Sequence, residues 1–195
     1  MPKSSILQCT GDPAILDRPK LALFCSVKCP GALILQTYDT VQALRAQGIT
    51  VISPFHSPME QECLRILLRA PNPVILGLAR SLYNRIPTKP IDCRPAVEEG
   101  RLTFVSPFKT PATRITAATA TIRNRMVAEL ADAVFIAHAD PEGKILPLAL
   151  ELLKSGKPIY TFNHPDHTPL INAGATDITL HLNTLSPIHA PGTLT

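Results

Sequence analysis

The sequence predicts an α/β domain with a doubly wound, mostly parallel sheet, a Rossmann-like three-layer sandwich. Three observations carry that expectation. Apolar runs such as Leu21-Ala-Leu-Phe-Cys25, Ile49-Thr-Val-Ile-Ser53 and Ala133-Val-Phe-Ile-Ala137 read as strands buried on both faces. Segments of helical spacing, about ten to sixteen residues long, separate them, as βαβ units require. The composition supplies the core: of 195 residues, 45% are hydrophobic and 17% charged, which suits one medium domain and excludes global disorder.

Residues 1–18 read as an N-terminal extension ahead of a domain spanning 19–182. The first strand, 21–25, leads to a helix over 32–47 that stops at Gly48, a residue suited to a C-terminal cap. Residues 49–53 form the second strand. A helix over 58–69 follows, with Pro58 in its first turn, where a missing N–H is no loss. The third strand is 73–77, a short helical turn covers 95–100, and the fourth strand is 102–106. A helix over 116–131 feeds the fifth strand, 133–137. Another helix, 145–155, closes at Gly156 before the sixth strand, 158–162. A short helix over 168–173 precedes a last strand, 177–182, and the tail, 183–195, reads as a flexible end.

Charge and cysteines narrow the function classes. Lys and Arg total 19 against 15 Asp and Glu, a formal net charge of +4, which permits nucleic-acid binding without announcing it. Trp is absent and aromatics are 5%, so no aromatic platform for stacking single-stranded bases is evident. The start has no apolar run of signal-peptide length, and no stretch approaches the roughly 20 apolar residues of a membrane span. The five cysteines, at positions 9, 25, 29, 63 and 93, are expected to be reduced thiols in a bacterial-type cytosol, giving a cytoplasmic protein. No second Cys/His pair stands at zinc spacing from Cys25 and Cys29, and His164 and His167 lie in a proline-rich loop, so neither a metal nor a cofactor is expected.

In doubly wound sheets ligands bind beyond the carboxyl ends of the strands, near the switch in strand order. The residues there recur in kind. Ser26, Lys28 and Gly31 follow the first strand. His56, Ser57 and Glu60 follow the second, and Arg80 and Ser81 the third. Lys109, Thr110 and Arg114 follow the fourth, and His138, Asp140, Glu142 and Lys144 the fifth. Ser57, Thr110 and Thr116 each make good helix N-caps, and Glu60 suits a helix dipole. Their convergence with the cations predicts a phosphate-binding crevice, in which His56 and Ser57 bind phosphate or ribose and Glu60 accepts from a sugar hydroxyl. Glu60 and Glu62, two apart on a helix, face different ways and do not form an acid–base pair.

The most informative stretch is Ile122-Arg-Asn-Arg-Met-Val-Ala-Glu-Leu-Ala-Asp132. Arg123 and Arg125 flank Asn124 at about two to three turns before the fifth strand. They are expected near the helix N-terminus, where N–H groups and guanidinium groups would favour one anion. No G-x-G-x-x-G, G-x-x-x-x-G-K-[ST], G-x-S-x-G or His-Glu-x-x-His is present.

These residues resemble the Rossmann-like domain of the DNA-processing protein A (DprA/Smf) family, within the superfamily that also holds the LOG "lysine decarboxylase-like" proteins. The resemblance rests on residues 21–26 through Pro30-Gly31, Val51-Ile-Ser53, Arg123-Asn124-Arg125 with Met-Val-Ala-Glu-Leu-Ala131, and Asp140-Pro-Glu-Gly143-Lys144 followed by Ala149-Leu-Glu151. It covers roughly residues 11–162 and is closest to a compact branch carrying His56-Ser-Pro-Met-Glu60. The family's first turn reads Gly-Ser-Arg; here it is Cys25-Ser26-Val27, with Lys28 as the only cation. A lysine is a point charge without bidentate grip, so Lys28 replaces that arginine in part. The family's glycine-rich segment after the second strand is here Ser53-Pro-Phe-His-Ser-Pro-Met-Glu60.

The resemblance implies a DNA-processing protein that binds single-stranded DNA in recombination or transformation, with a recombinase partner and a homodimeric state. A second reading from the same superfamily is a sensor of a nucleotide-type ligand. A third is a LOG-like hydrolase of nucleoside 5′-monophosphates with Glu60 as its only carboxylate candidate; the Pro-Gly-Gly-x-Gly-Thr-x-x-Glu signature of such enzymes is absent.

Overall fold

The computed structural model describes residues 7–109 and 114–181. Its strands are β1 (Gln8–Thr10), β2 (Lys20–Cys25), β3 (Thr50–Ser53), β4 (Val74–Gly77), β5 (Leu102–Ser106), β6 (Ala133–His138), β7 (Ile159–Thr161) and β8 (Thr176–Asp177). Its helices are α1 (Gly31–Ala46), α2 (Pro58–Leu67), α3 (Arg94–Glu98), α4 (Ala117–Leu130), α5 (Ile145–Lys154) and α6 (Thr168–Asn172). The eight strands form one sheet in the order β1-β5-β4-β3-β2-β6-β7-β8. Every neighbouring pair is parallel except β1 with β5. The α/β fold with a mostly parallel, doubly wound sheet is therefore the one the sequence predicts.

The continuous apolar runs have a plain cause. Alternate residues of β2 enter opposite cores: Leu21, Leu23 and Cys25 pack with Leu33, Val41 and Leu44 of α1 and Cys63 and Leu67 of α2. Ala22 and Phe24 pack on the other face with Val127 and Ala128 of α4 and Ala149 and Leu152 of α5. Helices cover both faces, so no strand position can be polar without a partner. Close layering shows at Gly77, where an added Cβ would lie 2.4 Å from Cγ2 of Val127.

Two elements depart from the sequence reading. β1, within residues read as an extension, joins the sheet as an antiparallel edge, with Cys9 opposite Val105. Gly11 ends it at φ 113°, and a Cβ there would sit 2.5 Å from the Leu102 carbonyl oxygen, so only glycine fits. The last strand is two residues long, where 177–182 was expected. Asp177 accepts from the Thr179 N–H at 3.0 Å and caps a 3-10 turn, Ile178–Leu180, which curls the chain out of the sheet. Thr110 and the tail 183–195 lie outside the described residues.

Candidate functional site

Strand order reverses at β2, which lies between β3 and β6. Beyond the carboxyl ends of these three strands is a crevice of ≈ 380 Å³. Ser26, Lys28, His56, Ser57, Glu60, Arg123, Asn124 and Lys144, all singled out from the sequence, line it. Lys109, Arg114 and Arg125 do not. Lys109 and Arg114 are exposed residues of the β5–α4 connection.

Glu60 organises the crevice floor. It is 3% exposed, and both its oxygens are engaged. Oε1 accepts from the Cys25 N–H at 2.9 Å, while Oε2 accepts from the N–H groups of His56 at 2.7 Å and Ser57 at 3.2 Å. In return the Ser57 hydroxyl accepts from the Glu60 N–H at 3.2 Å, completing a capping box at α2. One side chain thus ties the end of β2 to the β3–α2 turn. Burial pushes its carboxyl pKa up, and the three N–H donors and the charge of Arg123 oppose that. That turn also holds Phe55 at φ 47°, a left-handed position rare for a bulky residue, held by its buried ring and by its N–H donating to Ser53 Oγ at 3.1 Å.

Across the switch point, Ser26 fastens β2 to the β6–α5 turn. Its N–H donates to the His138 carbonyl at 2.9 Å, and its hydroxyl accepts from the Asp140 N–H at 2.9 Å. Asp140 and Gly143 line the crevice beside it. The sequence places Asp140 after the fifth strand at the crevice edge and both residues in the family resemblance, but marks neither as phosphate-binding. A Cβ on Gly143 would lie 3.1 Å from the Asp140 carbonyl oxygen, so the tight turn leaves little room for a side chain there.

The arginines need correction. α4 begins at Ala117, capped by the Thr116–Thr119 box, because the 117–121 segment is itself good helix. Arg123 and Arg125 therefore sit mid-helix, and the free N–H groups of the helix end do not reinforce them. Nor do the two share a site, since residues two apart on a helix diverge. Arg125 is exposed and bidentate to Glu151, at 2.6 and 2.8 Å, in a groove beside the crevice. Arg123 is 6% exposed and turns to the crevice, its Nε donating to Asn124 Oδ1 at 2.9 Å. Among the described residues it forms no ion pair. Burial lowers its pKa, and the nearby charge of Glu60 opposes that.

Lys28 and Lys144 are exposed at the rim and make no ion pair among the described residues. His56 also lines the crevice; partial covering and the Arg123 charge hold its imidazole below the ordinary pKa. The lining carries Lys28, Arg123 and Lys144 against the carboxylates of Glu60 and Asp140, a positive balance with Glu60 already occupied by backbone donors. The chemistry offered is anion binding. Among the described residues no group of three or more His, Cys, Asp or Glu is arranged to hold a metal, and no helix is long and apolar enough to cross a membrane.

Comparison with known proteins follows the same line. No curated protein sequence matches significantly. The DNA processing protein A of Helicobacter pylori, described for its single-stranded DNA binding mode, superposes with a TM-score of 0.77 at 22% identity, over 92% of this chain and 86% of that one. DNA processing protein A of Streptococcus pneumoniae gives 0.76 at 16%, over 94% of this chain and 66% of that one, so the chain spans just under two thirds of its length. The molybdenum cofactor carrier protein of Chlamydomonas reinhardtii gives 0.55 at 12%, over 82% and 89%. At these identities the likeness is one of fold. The family model described as DNA recombination-mediator protein A matches residues 2–181, and the chain belongs to that family.

Proposed function

We propose that the crevice binds the phosphate backbone of single-stranded DNA, and that the protein serves DNA processing in recombination as a cytoplasmic homodimer that works with a recombinase. The observation that carries this reading is Arg123. A guanidinium 6% exposed and without an ion pair among the described residues is unfavourable unless an anion arrives. Lys28 and Lys144 at the rim would extend the contact to neighbouring phosphates, and neutral His56 can donate one N–H. Family membership and the fold shared with the Helicobacter pylori protein support the choice of ligand. Glu60 holds the turns that present these groups.

Replacing Arg123 by Gln keeps a donor near Asn124 and removes the charge. Single-stranded DNA affinity should fall at least tenfold while the melting temperature holds; unchanged affinity would remove the reading. A crevice of ≈ 380 Å³ lies at the small end of ordinary ligand pockets, so a free mononucleotide is the second reading. Competition between a nucleoside monophosphate and an oligonucleotide for the same crevice separates the two.

A further inference from the structure

Every cysteine of the chain is a free thiol, and two of them meet behind the crevice. Alternation along β2 sends the Cys25 side chain into the α1–α2 core, which also holds Leu33 and Cys63. The chain then turns back at once, because α1 starts at Gly31 and covers the same face. That turn lays half-buried Cys29 on this core, and the Cys25 thiol donates a hydrogen bond to the Cys29 sulfur. The three residues between the pair, Ser26, Val27 and Lys28, all line the crevice, as does Cys25 itself. Val27 and Lys28 are exposed.

The two thiols are not alike. That bond and burial hold the proton on Cys25, which is 3% exposed, and raise its pKa. The same bond pulls the Cys29 pKa below the ordinary thiol value, against a smaller opposing effect of burial. Burial pushes the thiols of Cys63 and Cys93 up. A half-exposed sulfur with thiolate character beside a buried thiol is the arrangement of a nucleophilic cysteine and its resolving partner. Cys29 Sγ also reaches the Pro30 carbonyl oxygen at 3.8 Å, a long contact that gives way easily.

We propose that Cys25 and Cys29 are a redox-reactive pair: a peroxide oxidises them to a disulfide, which closes the loop over 26–28 and tightens the crevice's hold on phosphate. The Cys29 thiolate attacks one peroxide oxygen; an S–O bond forms, the O–O bond breaks, and the other oxygen leaves as hydroxide, which takes up the proton that Cys29 released. Cys25 then attacks the sulfenic sulfur; the S–S bond forms, the S–O bond breaks, and hydroxide leaves with the Cys25 proton as water. Two thiols and one peroxide thus give a disulfide and two waters, the sulfurs losing two electrons to the peroxide. Closing a hydrogen-bonded pair to the roughly 2.05 Å of a disulfide is a small movement. Oxidation removes a negative charge from behind the crevice and fixes the loop that carries Lys28, and both favour a bound anion. A transient, reducible bond of this kind suits a reducing compartment. The tightening rests on the crevice binding phosphate, as proposed above; the disulfide does not.

The test treats the reduced full chain with hydrogen peroxide, blocks the remaining thiols with iodoacetamide and maps the tryptic peptides. Cleavage after Lys20, Lys28 and Arg45 separates the two cysteines, so peptides 21–28 and 29–45 travel together only if a disulfide joins them. The wild type should give that linked pair, and dithiothreitol should release it. Cys63→Ala should keep the link. Cys25→Ser should stop at the sulfenic acid of Cys29, trapped by dimedone; if it does not fold, Cys29→Ser should abolish the link and leave Cys25 unoxidised. Two free peptides after peroxide, a link from either to Cys63, or oxidation of Cys9 or Cys93 ahead of Cys29 overturns the pair. By fluorescence anisotropy the oxidised wild type should bind oligothymidylate about two- to fivefold more tightly than the reduced form, the scale of immobilising one loop side chain in advance. Peroxide should not change the affinity of Cys29→Ser. Equal affinity of linked and reduced forms overturns the tightening. If neither form binds, the crevice reading and the tightening fall together, and the peptide map still decides the disulfide.

Discussion

Replacing Glu60 by Gln isolates the clamp that builds the crevice. A carboxamide has the carboxylate's shape but a single acceptor oxygen. Turned to its best orientation, that oxygen keeps the His56 and Ser57 N–H groups and points its NH2 at the Cys25 N–H, now 2.9 Å from an opposing donor. One buried backbone donor is orphaned, which costs about 1–3 kcal/mol. Loss of charge at the start of α2 adds about 0.5 kcal/mol. Relief from burying an ion offsets part of this, since burial already strains the carboxylate. The balance is about 2 kcal/mol, or roughly a 4–8 °C fall in melting temperature for a chain of this size. Calorimetry and urea titration read it directly. Glu60→Ala orphans all three donors and should cost about 3–6 kcal/mol. Single-stranded DNA affinity of the folded Gln variant should fall less than tenfold, because Glu60 positions the site. A Gln variant melting within about 1 °C of wild type would refute the clamp.

Other perturbations separate neighbouring groups. Arg125→Ala should cost under about 1 kcal/mol, since the Glu151 pair is exposed, and should leave single-stranded DNA affinity within about twofold. Gly77→Ala places a methyl against Val127 and should cost about 1–3 kcal/mol by urea titration. His167 is fully buried, its Nδ1 bonded to the Phe162 carbonyl at 3.1 Å and its Nε2 without a partner among the described residues. Burial lowers its folded pKa, so its stabilising contribution is present above the unfolded value near 6.5 and is lost as pH falls through the folded one. Stability should decline below about pH 6, and the decline should be shallower in His167→Gln; parallel profiles would rule this out.

The parallel strands were legible because burial on both faces forces unbroken apolar runs, and the crevice because fold topology ranks the residues after each strand. Local sequence could not reveal β1, since three half-buried residues paired across the sheet to Ser106, Val105 and Phe104 leave no period to detect. It misjudged Arg123 and Arg125, which look equivalent in the chain. A partner at position 151 neutralises one, and two helical turns upstream of them remove the dipole argument from both. Asp140 and Gly143 carried a signal, their shared place after the fifth strand.

If buried Arg123 and the rim lysines form a phosphate site, single-stranded DNA binding must weaken steeply as salt rises. With Lys28, Arg123 and Lys144 each neutralising one phosphate, the slope of log affinity for single-stranded DNA against log salt should be about −2. Lys28→Ala with Lys144→Ala should bring it to about −0.7. An affinity indifferent to salt, or a slope unmoved by removing both lysines, would contradict the claim.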